Sequence, residues 1–322
     1  MSPLFRLSIY LRVLPVLAAV CGFQTASAAV IAVSPQDNLA EVIARAQAGD
    51  TLRLASGVYP VKLHIDKPLV LEGPADRSAE IQGDRSGRTI AVHAPDVVIR
   101  NLTVSRSGLI LPEMDAGIYL EETATRAVVE HNNILDNSVG VYIHGAKEAM
   151  VRSNTIIGNA NLRVNERGNG VTVWNAPGAQ VIDNDISKGR DGIFSNTSSH
   201  NTYKNNRFTD LRFAVHYMYT NDSEVSGNLS IGNNIGYAMM FSDRIKVYGN
   251  IAVNSRDQGI MLNYVNYSDI ADNVIDRAEK CVFVYNANYN QGDGSHFENS
   301  KMGIHFTAAF EGTELSKNAF VN

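Results

Sequence analysis

From Gly117 onward, apolar residues alternate with polar ones in short runs, and the pattern restarts about every 22 residues. The restarts fall at Gly117, Gly140, Gly170, Gly192, Ala214, Gly236, Gly259, Cys281 and Gly303, with spacings of 23, 30, 22, 22, 22, 23, 22 and 22. Each opens an apolar-x-apolar triplet. Fourteen or fifteen residues after each restart stand Asn132, Asn154, Asn184, Asn206, Asn228, Asn250, Asn273 and Asn318, with Ser295 the one substitute. A fixed short period carrying two-residue alternation and no helical pattern predicts an all-β, right-handed parallel β-helix with one coil per repeat. At about 4.8 Å per coil, a stack of roughly a dozen coils makes a rod somewhat under 60 Å long. The recurring Asn then has a physical reason. The same amide stacks above itself on successive coils, where it satisfies polar groups at a bend that interrupts backbone bonding.

The pattern differs toward the N-terminus. Asn38 to Ala48 places Leu39, Val42, Ile43 and Ala46 on one helical face, with Asn38 as N-cap and Gly49 as stop. A helix at residues 38–48 caps the open end of the stack, as a solenoid requires. Residues 51–107 read as two or three less regular entry coils, and 117–322 as the regular rungs of a β-helix domain covering 29–322. Before that domain, Arg6 and Arg12 precede an apolar run from Val13 to Phe23 and the small residues Ala26-Ser27-Ala28. This is the pattern of a cleaved export signal spanning residues 1–28, and it predicts a periplasmic protein. Its removal takes two of the 28 basic residues and none of the 33 acidic ones, leaving a net charge of −7. That balance gives no electrostatic footprint for nucleic acid. Cys281 is then the single cysteine, so no intrachain disulfide forms; it reads as a small residue tolerated at a tight corner. The sequence stops at Asn322, partway through a repeat, and is expected to be a fragment.

Alternation decides which side chains leave the core. In each first strand the residues one and three after the restart point inward, Met239 among them, and Ser195 is the polar exception. The residues two and four after it face out. The first outward column includes Tyr119, Tyr142, Phe194, His216, Met261, Phe283 and His305; the second includes His144, Trp174, Met218, Met240 and Tyr285. Lys and Arg are absent from both, and Glu121 is the one acid. Such an apolar stripe marks a binding surface. Within it His216, Met218, Met240 and Met261 fall on three consecutive rungs, and thioether plus imidazole is a ligand set suited to Cu(I). Met and aromatic residues are equally what a protein partner grips, and Tyr119, Tyr142, His144, Trp174, Phe194, Phe283, Tyr285 and His305 form that docking surface. Exposed aromatics along a β-helix also stack sugars, so a carbohydrate-binding or polyuronate-acting protein is the alternative class. A glycosidase needs converging carboxylates, whereas Glu121 stands alone and Asp183, Asp185 and Asp191 lie near turns without an evident partner set. The reading is therefore of a protein that is not an enzyme. The one long spacing places about eight extra residues at Asn161–Gly168, a loop on the binding face.

The phrases GRDGIFSNTS (189–198), VHYMYTND (215–222), GYAMMFSD (236–243) and GIMLNYVN (259–266) resemble the NosD family of nitrous oxide reductase maturation proteins. The resemblance implies a periplasmic accessory factor without catalysis of its own. Its partners would be an ABC-type transporter, a copper chaperone and nitrous oxide reductase, whose copper–sulfur centre it helps assemble. Cu(I) would be a transient ligand of the His/Met face. Members of that family carry further C-terminal sequence, rich in aromatic, Asp and Gly residues, that this chain lacks.

Overall fold

The computed structural model describes residues 28–308 and 310–321; residues 1–27, most of the expected export signal, lie outside them. The chain winds as a right-handed parallel β-solenoid of about 13 turns. Sheet A has 13 strands, from Val30–Val33 to Glu314–Ser316; sheet B has 12, from Gly57–Pro60 to Ala319–Val321; sheet C has 11, from Leu63–Ile65 to Met302–Thr307. Every strand pairs in parallel with its counterpart one turn away, and the inward residues of all three sheets form one continuous core. The ends of the rod differ. Helix α1 (Leu39–Arg45) buries Leu39 and Ile43 on the first coils, and the Asn38 carboxamide caps it by accepting from the Glu41 amide. It is shorter than the sequence pattern predicts, ending as Ala46 turns extended. The strand Val30–Val33, which the sequence reading did not anticipate, precedes it and edges sheet A. At the other end Leu315 and Phe320 occupy core-type positions yet are exposed.

The Asn column is the seam between sheets A and B. The Asn206 carbonyl oxygen accepts from both the backbone and side-chain amides of Asn184, and its Nδ2 donates to the Val181 carbonyl and to Asn228, all at 2.8–3.0 Å. The same set recurs from Asn132 to Asn273, so each buried amide satisfies a backbone group that no sheet can reach. Ser295 keeps the role, accepting the Asn273 amide through its hydroxyl.

Glycine at the restarts has a steric cause. A Cβ on Gly192 would lie 2.4 Å from the Phe208 ring and 2.5 Å from the Ala214 carbonyl oxygen. The restart residue thus faces inward, and so does the one after it. Two successive inward positions break the two-residue alternation, and the residue just before each restart therefore turns outward. Ala214 is accommodated on the rung where sheet B offers Ser230 in register with Phe208. This parity step adds a third outward column to sheet C, which the sequence reading left out. It contains Asp191, Phe213, Ile235 and Gln258, successive partners in register.

Two segments leave the stack at the corner between sheets B and C. The expected insertion forms a loop with a short 3-10 turn at Val164–Glu166. Gly168, assigned to the insertion from sequence, belongs to the stack: its carbonyl accepts the Arg190 amide at 2.7 Å. The second excursion, between Ser105 and Ala116, carries another 3-10 turn at Leu111–Glu113. It folds onto sheet C and packs Leu111 and Met114 against Tyr119 and Tyr142.

A candidate metal and docking face on sheet C

Sheets A and C present opposite chemistry to solvent. On sheet A, Arg53, Glu72, Arg100, Glu130 and Arg152 alternate in charge on successive coils, joined by ion pairs of 2.7, 2.6, 3.8 and 2.5 Å. That face neutralises itself. On sheet C the strands lengthen to nine residues at Asp191–Ser199, Phe213–Asn221, Ile235–Asp243 and Gln258–Asn266, against three in the neighbouring sheets. They make a broad, rigid plate, and the candidate residues stand on it.

Alternation correctly sends His216 and Met218 to the outer side, but outward does not mean exposed. His216 is only 9% accessible, because the rings of Phe194 and Phe213 lie 5.0 and 5.1 Å from its imidazole. Its Nδ1 is 3.0 Å from Oδ2 of Asp191, which is completely buried and also receives Arg212 Nε and Nη2 at 2.8 and 2.6 Å. Asp191 therefore has a partner set, contrary to the sequence reading, because the parity step turns it toward His216. Burial opposes its ionisation, yet the hydrogen bonds from His216 and Arg212 hold its carboxyl below the ordinary range. Nε2 of His216 is buried and has no hydrogen-bond partner.

Met218 and Met240 are partners in register, both half-buried. Met261 is not exposed as expected; it sits under Phe283 and Met240 in a small apolar cluster with Ile235 and Ala238, separate from the core. His216 pairs in register with Ala238, and Ala238 with Met261. The small Ala238 side chain is thus the centre about which the imidazole and three thioethers are arranged. Met239 points inward and is fully buried. Ser195, the polar exception of the core, is satisfied by the hydroxyls of Tyr203 and Thr220 at 2.9 and 3.1 Å.

The expected docking residues divide along the rod. Toward the N-terminus, Tyr119 is buried rather than exposed. Met114 and Leu111 pack on it, Arg88 lies 3.5 Å over its ring, and burial pushes its hydroxyl up to about 12. Tyr142 is half-buried beside it at 5.3 Å, and His144 stacks on the exposed Trp174 at 4.5 Å. Glu121 faces out but is neutralised by Arg88 at 3.1 Å. Toward the C-terminus, Phe194 and Phe283 are half-buried, His305 meets Phe283 edge-on at 5.4 Å, and Tyr285 meets Tyr264 edge-on at 5.7 Å.

Two groups escaped the sequence reading. His64 and His93 stack at 4.0 Å on the entry coils, where burial, reinforced by His64, lowers the pKa of His93. Following the outward columns back into those coils would have found them. Tyr219, Phe241 and Tyr264 form an exposed ladder, stacked at 5.1 and 5.2 Å, with φ of 51°, 49° and 53°. The left-handed region is unusual for such bulky residues. They directly follow Met218, Met240 and Asn263, at a bend that strict alternation does not foresee.

Buried polar atoms normally find partners. Among the described residues nine buried side-chain polar atoms have none, and six of them lie on this face: in His144, Asn169, His216, Gln258, Asn263 and His305. No group of three or more His, Cys, Asp or Glu side chains converges among the described residues. The donor set of the face is instead imidazole and thioether, which suits a soft cation rather than a hard one.

A family profile described as "Periplasmic copper-binding protein (NosD)" matches residues 152–322, and a right-handed β-helix profile matches 78–179. The "Probable ABC transporter binding protein NosD" of Stutzerimonas stutzeri is 33% identical over 284 residues, 84% of this chain and 65% of the relative. The protein of the same name from Pseudomonas aeruginosa is 33% identical over 291 residues, 86% of this chain and 68% of the relative. The chain belongs to the NosD family. It spans about two thirds of the length of these relatives, which are named as binding proteins. Among solved structures, the Azotobacter vinelandii mannuronan C-5 epimerase AlgE4 A-module has a TM-score of 0.68 at 12% identity, covering 88% of this chain and 89% of that one. A Thermotoga maritima exopolygalacturonase has a TM-score of 0.67 at 10% identity, covering 90% and 91%. At such identities the likeness extends to the fold alone.

Proposed function

We propose that this NosD chain is a periplasmic accessory protein that takes up Cu(I) as cargo on the outer face of sheet C. Partners dock on the aromatic residues of the same face. Following the family resemblance, the cargo serves assembly of the copper–sulfur centre of nitrous oxide reductase, together with an ABC-type transporter and a copper chaperone. The observation that carries this reading is the unpaired, buried Nε2 of His216 beside the thioether group of Met218, Met240 and Met261. A soft monovalent cation is satisfied by such ligands and loses little by leaving water. The half-buried Met218 and Met240 keep the group within reach of a partner, as handing on a cargo requires. Trp174, Phe283, Tyr285 and His305 would supply the contact area for that partner, with Tyr219, Phe241 and Tyr264 along its border. Polysaccharide chemistry fits less well, since Glu121 is the one acid of the two outward columns on the regular rungs and is tied to Arg88.

The test is a Cu(I) titration of the purified protein against a competing chelator. The double variant Met218→Ala/Met240→Ala should bind at least about tenfold more weakly than the parent, as expected when two soft ligands are lost. Equal affinity in the two proteins would contradict the assignment.

A further inference from the structure

The cargo reading assigns His216 a role but leaves Asp191 and Arg212 without one. A buried carboxylate, its guanidinium and an imidazole form a chain here: Arg212 holds both oxygens of Asp191, and Oδ2 of Asp191 faces Nδ1 of His216 at 3.0 Å. Asp191 is fully buried, and the strand Asp191–Ser199 pairs in register with Phe213–Asn221, which carries His216. The carboxylate has only acceptors to offer, so the proton between the two groups is carried by Nδ1. In a neutral imidazole that leaves Nε2 with its lone pair free. Phe194 and Phe213 flank the ring and fix its plane, while Arg212 also lies 4.4 Å over the Phe213 ring, tying the guanidinium to the same cluster. A histidine kept for packing would be expected to satisfy its second nitrogen or leave it to water. Here Nε2 is buried and unpaired.

We propose that Asp191, itself braced by Arg212, is the positioning residue for His216, locking the imidazole as the Nδ1–H tautomer and aiming an unprotonated Nε2 at the methionine face. The proposal rests on the cargo reading for its purpose, but the tautomer it assigns is a property of the metal-free protein. Carboxylates in this position orient and strengthen imidazole ligands, and their loss typically weakens metal binding 10–100-fold, as a general rule for such sites. Nothing in the alternation of the sequence points to this pair, because the parity step at Gly192 is what brings Asp191 to the outer side.

The experiment is nitrogen-15 NMR of the His216 ring in the metal-free protein, combined with Cu(I) titration of the parent, Asp191→Asn and His216→Ala. The parent should show Nδ1 protonated and Nε2 bare. Asp191→Asn should give a mixture of tautomers and bind Cu(I) roughly 10–100-fold more weakly, with Met218 and Met240 intact. A parent spectrum showing Nε2 protonated would overturn the proposal, and so would an Asp191→Asn protein with unchanged tautomer and affinity. The parent spectrum alone decides the matter if Asp191→Asn does not fold. If the parent takes up no Cu(I), the cargo reading fails, and the tautomer still tests the positioning.

Discussion

At the scale of single residues, the difference between facing outward and being exposed governs what each substitution should do. His216 was placed on the outer side by alternation, and truncating it was expected from sequence to cost less than about 1 kcal/mol, as for an ordinary surface residue. The structure alters that expectation, since His216 supplies a hydrogen bond to a buried carboxylate and fills the space between two aromatic rings. His216→Ala should therefore destabilise by roughly 1–3 kcal/mol, the cost of leaving a buried acceptor short of a donor. Met239→Ala, one strand over and pointing into the core, should cost roughly 2–5 kcal/mol. Trp174→Ala should stay within about 1 kcal/mol, because the ring is exposed and stacks only at the surface. Urea unfolding of the three variants checks this order. The imidazole and thioethers were legible in the sequence because each lies on a simple two-residue pattern. Asp191 and the aromatic ladder were not, because both depend on backbone steps that the pattern does not encode. Tyr119 was misjudged for another reason: the excursion that covers it comes from a different coil.

Within the repeating elements, the Asn seam and the sheet A charge ladder stabilise the stack in different ways. The Asn column was fully legible, since nothing but a stacked amide explains one residue type recurring at one offset. Asn206→Ala should cost roughly 2–4 kcal/mol, because it orphans the Asn184 amide and the Val181 carbonyl together. Arg207→Ala, exposed on the next residue, should cost no more than about 0.5 kcal/mol. The charge ladder was not foreseen. Burial works against ionisation of Glu72, but its hydrogen bonds to Arg53 and Arg100 lower its pKa on balance. A carboxylate with a depressed folded pKa contributes stability above its unfolded pKa of about 4.3 and loses it as the pH falls through the folded value. Glu72→Gln should accordingly flatten part of the stability loss seen below about pH 4, as measured by thermal unfolding across pH. The loop at the long repeat was correctly located, apart from Gly168, whose carbonyl bond to the next coil no spacing argument reveals.

For the whole molecule, the period alone dictated the solenoid, because a 22-residue repeat with short strands buries its apolar side only by stacking on a copy of itself. The three sheets then divide the labour. Sheet A cancels its own charges, sheet B joins it through the Asn seam, and sheet C gathers aromatic, Met and His side chains on its longest strands. What the period could not reveal is the depth of that face, since whether an outward residue is covered depends on its neighbours one and two coils away. The central claim is that sheet C holds Cu(I) through imidazole and thioether ligands. X-ray absorption at the copper edge of the Cu(I)-loaded protein tests it most directly. The account predicts a shell of sulfur scatterers with nitrogen, and loss of the sulfur contribution in Met218→Ala/Met240→Ala. A first shell of nitrogen and oxygen alone, unchanged by that double substitution, would contradict it.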